Sequence, residues 1–304
     1  MRKKVLVIVV AYNGMRWLER CLGSVSGAAD IFVVDNDSTD GSADFVQAHF
    51  PSARLVHSAD NLGFSAANNL GMEYAMKRGY DYVYLLNQDA WLEEGALDLL
   101  VAAAEAEPSF AVLSPLQMTP GYVSFDRQFG KLYKHSGSKG VGGAARGMDA
   151  SAVSGGAVTS AVSGGAAVPV SRVMAAHWLV SVEAIRKIGL FNTELFPLYG
   201  QDDDWCNRAR YHGYRVGIVP QARAVHDRAS RTESKERIMD RNYRIGSLVR
   251  LCNINRPLWE RFLFVCLFTV VKAVKYGSLM PFRHFASLCR QLPTVRTARR
   301  SASR

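Results

Sequence analysis

Three groups of residues have types and spacing that could do chemistry. Asn87-Gln88-Asp89 directly follows the apolar, β-prone run 82–86. A buried strand that stops there sets a carboxylate at its C-terminal edge, where open α/β sheets bind ligands. With oxygen ligands nearby, such a carboxylate suits a Mg²⁺ or Mn²⁺ ion holding a diphosphate. The same residues also suit a turn into a helix from Leu92, with Asp89 as its cap. The second group is Gly200-Gln201-Asp202-Asp203-Asp204-Trp205-Cys206. Adjacent carboxylates repel one another, so the run needs a reason. A base beside a metal-bound substrate is one; an acidic helix start welcomed by the helix dipole is another. The third is His226, which closes a strand-like stretch after Val225. A lone histidine is more often structural than a ligand, but this one sits at a second strand-to-loop junction.

The elements that must position these groups can be read in order. Residues 5–10 form an unbroken apolar run, followed by Tyr12-Asn13-Gly14, which reads as a strand and the loop at its carboxyl end. Trp17, Leu18, Cys21, Leu22 and Val25 recur at helical spacing. A short strand over 31–34 runs into the polar loop 35–42, and Phe45, Val46 and Phe50 continue a helix. A third strand over 54–56, a turn at 61–64, a helix over 65–78 stopped by Gly79, and the strand 82–86 follow. A helix over 96–105 and a strand over 111–114 come next. Alternating strands and helices predict an α/β fold with a mostly parallel central sheet flanked by helices. The GxGxxG of a dinucleotide fold is missing after the first strand, which disfavours a nicotinamide enzyme. Residues 135–171 collapse into Gly, Ala and Ser and predict a mobile loop, either a neutral insertion or a lid or acceptor loop. Order resumes at 176–180. Ser181 is placed to cap a helix that Gly189 stops, and strands over 216–219 and 225–226 flank a turn at 220–222.

Charge divides the chain. Residues 241–304 hold 13 Lys and Arg against the single acid Glu260, a balance of +12, whereas the whole chain is +10, leaving about −2 for residues 1–240. The boundary expected is a catalytic domain over 1–232 and a basic amphipathic helical extension over 233–304. Apolar residues from Leu258 to Val271 predict a helix that Lys272 interrupts before it could span a bilayer. An apolar face flanked by cations suits a helix lying on an anionic membrane, although a helical pair packed on the domain fits as well. Nucleic-acid binding is disfavoured, since the tail carries no recognition motif. The five cysteines are widely spaced and lack a CxxC, so neither a disulfide framework nor a zinc site is expected, and a reducing compartment fits. The apolar run after Arg2-Lys3-Lys4 is too short for a secretory leader and leads into Tyr12-Asn13-Gly14, which is no cleavage site.

Taken together, Val9-Val10-Ala11-Tyr12-Asn13, Val34-Asp35-Asn36-Asp37-Ser38-Thr39-Asp40-Gly41-Ser42, Asn61-Leu62-Gly63-Phe64 with Asn68-Asn69, Leu86-Asn87-Gln88-Asp89, Asp202-Asp203-Asp204-Trp205 and His226 fall in one order. In that order the chain resembles the inverting GT-A glycosyltransferases of glycosyltransferase family 2, and most the bacterial rhamnosyltransferase-like and galactofuranosyltransferase-like branch. The resemblance implies roles. Asn87-Gln88-Asp89 takes the place of the family's DxD motif, with Asp89 as metal ligand and Asn87 where the first acid would stand. Asp37 matches the acid that contacts the base or ribose. Ala11, Tyr12 and Asn13, with Asn87 and Gln88, would line the donor pocket, and Asn61, Gly63 and Asn68 would close over it. His226 matches the second metal ligand and Asp202 the catalytic base, with Asp204 as second candidate. Trp178 and Trp205 are expected on the acceptor side.

The implied activity is an inverting, metal-dependent transfer of a sugar from a nucleotide diphosphate to a glycan or lipid-linked acceptor in cell-surface polysaccharide synthesis. A divalent cation, Mg²⁺ or Mn²⁺, is the implied cofactor. The overall resemblance favours dTDP-rhamnose as donor, with UDP-hexoses open. The expected location is cytoplasmic, peripheral on the inner face of the membrane. The alternative is a non-catalytic homologue that only binds a sugar nucleotide.

Overall fold

A computed structural model describes residues 3–122, 124–126, 129–130, 167–228 and 234–304. Its N-terminal half alternates as expected: β1 (Val5–Ala11), α1 (Met15–Gly23), β2 (Asp30–Asn36), α2 (Ser42–His49), β3 (Arg54–Ser58), α3 (Gly63–Arg78) and β4 (Tyr82–Asn87). β5 (Ala90–Leu92), α4 (Ala96–Ala106), β6 (Phe110–Met118), β7 (Val168–Val170), β8 (His177–Ser181), α5 (Val182–Ile188), α6 (Gln201–Tyr211) and β9 (Arg215–His226) complete the sheet and its cover. Four helices follow, α7 (Lys235–Cys252), α8 (Leu258–Tyr276), α9 (Met280–Arg290) and α10 (Leu292–Ala302).

The nine strands form one sheet in the order β3-β2-β1-β4-β8-β6-β9-β5, with β7 beside the first half of β9. β1 to β4, β6 and β9 run one way; β5, β7 and β8 run against them. The continuous apolar run of β1 follows from burial on both faces. Leu6 and Ile8 pack under α3, α5 and α6, whereas Val5, Val7 and Val9 pack under α1, α2 and α4. The first of these layers is tight: a Cβ at Gly71 of α3 would lie 2.7 Å from Ile8.

Four sequence expectations change in detail. Residues 220–222 are not a turn between two strands but a bulge inside β9: Pro115 pairs with Val219 and Leu116 with Arg223, so the intervening residues have no partner on β6. β5 was not anticipated, because three residues carry no periodicity. Of the expected mobile loop over 135–171, residues 135–166 lie outside the described residues, while 168–170 are β7, held by β9. Lys272 interrupts the apolar run but not the helix: α8 continues to Tyr276, and the ammonium lies 5.1 and 5.3 Å from the Phe268 and Tyr276 ring centroids.

The C-terminal helices pack on the rest of the protein. Leu248, Leu251, Val265, Leu288 and Val295 share a core with Leu195 and Phe196. Buried Tyr243 shares a 2.7 Å hydrogen bond with Thr269, Asn255 donates to the Asn207 carbonyl at 2.8 Å, and Arg299 donates to the Leu251 carbonyl at 2.9 Å. Among the described residues no helix is long and apolar enough to cross a membrane.

The close approach of α3 to β1 makes a specific demand. Gly71→Ala should cost about 1–3 kcal/mol, despite the better helix propensity of alanine, because the methyl must displace Ile8. Urea unfolding checks it; an unchanged midpoint would mean that the two elements are not packed this closely.

Candidate active site

The junction after β4 and the end of β9 are brought together by β5. The chain leaves β4 at Asn87, passes Asp89 and turns into β5, which pairs antiparallel with β9 so that Ala90 lies opposite His226. The Asp227 amide donates to the Asp89 carbonyl at 2.8 Å and extends this register by one rung. Asp89 Oδ1 then lies 3.4 Å from His226 Nε2. Burial pushes the Asp89 carboxyl up most strongly, but the His226 contact, its own backbone amide and Arg228 together outweigh it, and the group lies below the usual carboxylate range. It is therefore ionised at neutral pH.

His226 is 5% exposed, and its Nδ1 has no hydrogen-bond partner among the described residues. The nearest carboxylate on that side is Asp126 Oδ2 at 4.0 Å, which Arg228 Nε also contacts at 2.6 Å. Behind the pair, His177 bridges the Tyr84 hydroxyl at 2.9 Å and the Val225 carbonyl at 3.1 Å. Burial pushes His177 down to about 3, so it backs the site as a neutral ring. No group of three His, Cys, Asp or Glu forms a metal cage among the described residues. An ionised carboxylate beside an imidazole with an unpartnered buried nitrogen is still a donor set that Mn²⁺ or Mg²⁺ accepts, with substrate oxygens and water filling the remaining positions.

The loops at the carboxyl ends of β1 and β2 are knitted to this junction. Gln88 Oε1 accepts from the Tyr12 amide at 2.7 Å, and Gln88 Nε2 donates to the Tyr12 carbonyl at 3.0 Å. Gln88 is thus a splint for the first loop, with both ends of its amide committed to backbone. Position 14 must be glycine for this, since a Cβ there would lie 2.3 Å from Gln88 Oε1. Asn13 and Asp37 both adopt left-handed backbone, at φ 49° and 67°, a conformation that persists where surrounding contacts enforce it. Asn13 is enforced by a 3.0 Å bond from its amide to Ser38 Oγ and a 2.9 Å bond from the Thr39 amide to its Oδ1. Asp37 is exposed beside it, as is the Tyr12 ring, while Ala11 is buried in β1. Asn61 Oδ1 accepts from Asn36 Nδ2 at 2.8 Å and from the Gly63 amide at 3.0 Å, and Asn36 Oδ1 accepts from the Leu62 amide at 2.8 Å. Gly63, at φ 76°, lets α3 start against the Pro197 carbonyl, from which a Cβ would be 2.9 Å away. Asn68 does not fit a ligand contact: it is buried, and its amide donates at 2.8 Å to the Phe64 carbonyl of its own helix.

The acidic run forms the first turn of α6, entered through Gly200 at φ 87°, where a Cβ would strike Ile245 and Phe196 at 2.8 and 2.9 Å. The three carboxylates have separate fates. Asp202 is half-buried and accepts at Oδ1 from the Asp203 amide at 3.0 Å. Burial, then the charge of Asp203, push its carboxyl up to about 7. Asp203 pairs with Arg172. Asp204 is not a second base: Arg208 Nε holds it at 2.9 Å, and the same guanidinium donates to the Ile188 and Leu190 carbonyls at 2.8 and 2.9 Å. It closes a buried structural network instead. Trp178 and Trp205 are likewise not on the acceptor side. Both are fully buried with ring centroids 5.9 Å apart, and Trp205 donates to the Gly189 carbonyl at 2.8 Å.

One segment ties α6 to the Asp89–His226 pair. Along residues 172–176, Arg172 holds Asp203, Met174 Sδ lies 3.5 Å from Arg228 Nη2, and the Ala176 carbonyl accepts from the Asn87 amide at 3.1 Å. Sequence reasoning missed Arg172, Asp126 and Arg228. Arg228 had a signal in its place two residues after His226; Arg172 stood at the edge of a stretch dismissed for its composition, and Asp126 had no pattern at all.

Residues 6–138 match the model of the glycosyl transferase family 2. The N-acetylglucosaminyl-diphospho-decaprenol L-rhamnosyltransferase of Mycobacterium tuberculosis (strain ATCC 25618 / H37Rv) is 29% identical over 241 residues, which cover 74% of this chain and 76% of that protein. The dTDP-rhamnosyl transferase RfbF of Shigella flexneri is 21% identical over 261 residues, 85% of this chain and 75% of that one. Among solved structures, the mannosyltransferase PcManGT from Pyrobaculum calidifontis, in complex with GDP-Man and Mn²⁺, has a TM-score of 0.58 at 16% identity, covering 100% of this chain and 85% of that one. The family 2 match over residues 6–138 and the rhamnosyltransferase relatives make the protein a glycosyltransferase, and its architecture is the GT-A fold.

Proposed function

We propose that the protein transfers a sugar, with inversion, from a nucleoside diphosphate to a hydroxyl of a glycan or lipid-linked acceptor, and that the donor is dTDP-rhamnose. The observation that carries the reaction is the pairing of an ionised Asp89 with His226 at the carboxyl edge of the sheet, in a chain whose Asp202 is held close to neutrality. The donor rests on the rhamnosyltransferase relatives. In this reading residues 1–232 are the catalytic unit. Residues 233–304 rest on the cytoplasmic face of the membrane, where a lipid-linked acceptor is presented.

Asp89 and His226 would hold Mg²⁺ or Mn²⁺, which takes up the negative charge that develops on the departing diphosphate. The rest falls to the chain. The backbone of 11–13, splinted by Gln88, and the Asp37 loop receive the nucleoside, while the Asn36–Asn61 bridge holds the start of α3 in place beside them. An acceptor hydroxyl is far too weak an acid to attack unaided, so a carboxylate must take its proton as the new bond forms. Asp202 does this with the oxygen that Asp203 does not engage. A carboxyl that titrates at about 7 is a far better proton acceptor than one at the ordinary 3.8. Arg172 neutralises Asp203, which keeps Asp202 from rising so far that it would stay protonated at neutral pH. One base on the face opposite the leaving group gives a single displacement. A merely sugar-nucleotide-binding homologue would have no use for such a perturbed carboxyl.

Asp202→Asn should lower turnover by about 10²–10⁴-fold while donor binding by calorimetry stays nearly unchanged. Asp204→Asn should instead lower the melting temperature, because Arg208 is left buried without its charge partner. Equal turnover in wild type and the Asp202 variant would refute the assignment. The pH dependence follows in sign. kcat/KM should rise with pH and level off above about 7 as Asp202 loses its proton. The same raised carboxyl stabilises the fold fully below about 3.8, and that contribution fades as pH climbs to about 7. The stability advantage of Asp202→Asn over wild type is thus expected to be larger at pH 8 than at pH 5; an advantage independent of pH would contradict it. Excess EDTA should abolish transfer and added Mn²⁺ or Mg²⁺ should restore it, whereas full activity in the chelator would remove the metal role of Asp89 and His226.

A further inference from the structure

The solvent side of α8 is the reverse of what a surface helix shows. Its inward stripe, Val265, Thr269 and Ala273, is buried against the neighbouring helices. On the opposite side Trp259, Leu263, Leu267, Val270, Val271 and Val274 follow one another at helical spacing and are each between 48% and 79% exposed. The charges of the helix are turned away from that stripe or paired: Glu260 is held by Arg261, and Lys272 lies over Phe268 and Tyr276. The apolar surface continues through Leu279 and Phe282 at the start of α9. Exposed cations stand at its ends, Arg256 ahead of Trp259, Lys275 beside Val274 and Arg283 beside Phe282.

We propose that this face of α8, with Leu279 and Phe282, is the surface by which the protein lies on an anionic lipid bilayer. The inference sharpens the membrane contact proposed above and rests on the surface alone, independently of the transfer reaction. Charge decides the occupant. Residues 241–304 carry a balance of +12, so two copies meeting through this face would set like charges against each other, whereas an anionic bilayer satisfies apolar stripe and cations together. With four charged residues, α8 is an interfacial helix and not a spanning one. A second feature links the face to the site. Ser278 and Met280, on either side of exposed Leu279, line a cavity of about 1010 Å³ whose wall includes Leu195, Pro197 and Tyr199, just ahead of Asp202. Docked on α8, the protein would hold that cavity next to the lipid surface from which an amphiphilic acceptor must come.

The test is sedimentation of the full chain with phosphatidylcholine vesicles, with and without phosphatidylglycerol. Wild type should bind the anionic vesicles at least about ten-fold more tightly than the neutral ones, and less in high salt. Leu263→Asp with Leu267→Asp should lose that binding with an unchanged melting curve, since both side chains lie in solvent. Lys275→Glu with Arg283→Glu should reduce the preference for anionic lipid. The inference is overturned if wild type ignores anionic vesicles, or if the Asp pair binds as well as wild type. It is also overturned if light scattering shows a wild-type dimer that the Asp pair dissolves in the absence of any lipid binding. Transfer to a water-soluble acceptor without vesicles should be the same in wild type and the Asp pair. Its absence in both, with vesicle binding intact, would count against the reaction and leave this surface standing.

Discussion

An ionised carboxylate that is partly buried must be compensated, and Asp89 is compensated by one contact above all. Burial works against its charge, and the imidazole of His226 does most to restore it. That contact depends on register. β5 is only three residues long, yet its pairing with β9 fixes Ala90 opposite His226, and a slip of one residue would turn the histidine to the other face of the sheet. The bulge at residues 220–222 belongs to the same constraint. It resets β9 against β6, so that the first half of the strand can pair with β7 and the second half with β5. The rest of the site is arranged about this junction: Gln88 splints the β1 loop to it, and residues 172–176 lash it to the turn that carries Asp202.

Neutral and charged partners divide the labour in a consistent way. His177, directly behind the pair, is held neutral by burial and contributes hydrogen bonds to Tyr84 and Val225 without adding a competing charge. At the start of α6 one chemical type is used in three ways. Asp204 is engaged by Arg208 and Asp203 by Arg172, while Asp202, held by backbone donors, is pushed up to about 7. In the proposed mechanism, three carboxylates in a row are one reactive group, one group that sets its proton affinity, and one strut of the fold.

How much of this was legible in the sequence depends on range. β1 announces itself because burial on both faces demands an unbroken apolar run, and Ser181 and Gly189 mark the ends of α5 by local geometry alone. Asp89, Asp202 and His226 stood out because each sits at a junction between elements. What could not be read is whatever a long-range pairing brings in. Asp126 is brought near His226 where its segment pairs with β6, at the Phe125–Met118 bridge and through its amide bond to the Gln117 carbonyl, and nothing in the flanking residues marks it. Trp178 and Trp205 were misplaced. Their expected acceptor-side place rested on the family resemblance, but in the fold both rings turn inward to fill the layer between β8, α5 and α6. Asn68 has the same explanation, because the inner face of α3 allows its amide only a backbone partner.

The C-terminal helices also support the segment that leads into α6. They seat Gly200 against Ile245 and Val249, so the turn that presents Asp202 is buttressed by the same bundle whose outer face is apolar. The central claim remains the metal site at the Asp89–His226 junction, and electron paramagnetic resonance of Mn²⁺ titrated with protein and dTDP tests it most directly. The account predicts that wild type removes the free-ion signal only when the diphosphate is present, and that His226→Ala and Asp89→Asn each weaken this at least about ten-fold. Mn²⁺ bound equally well by both variants would contradict it.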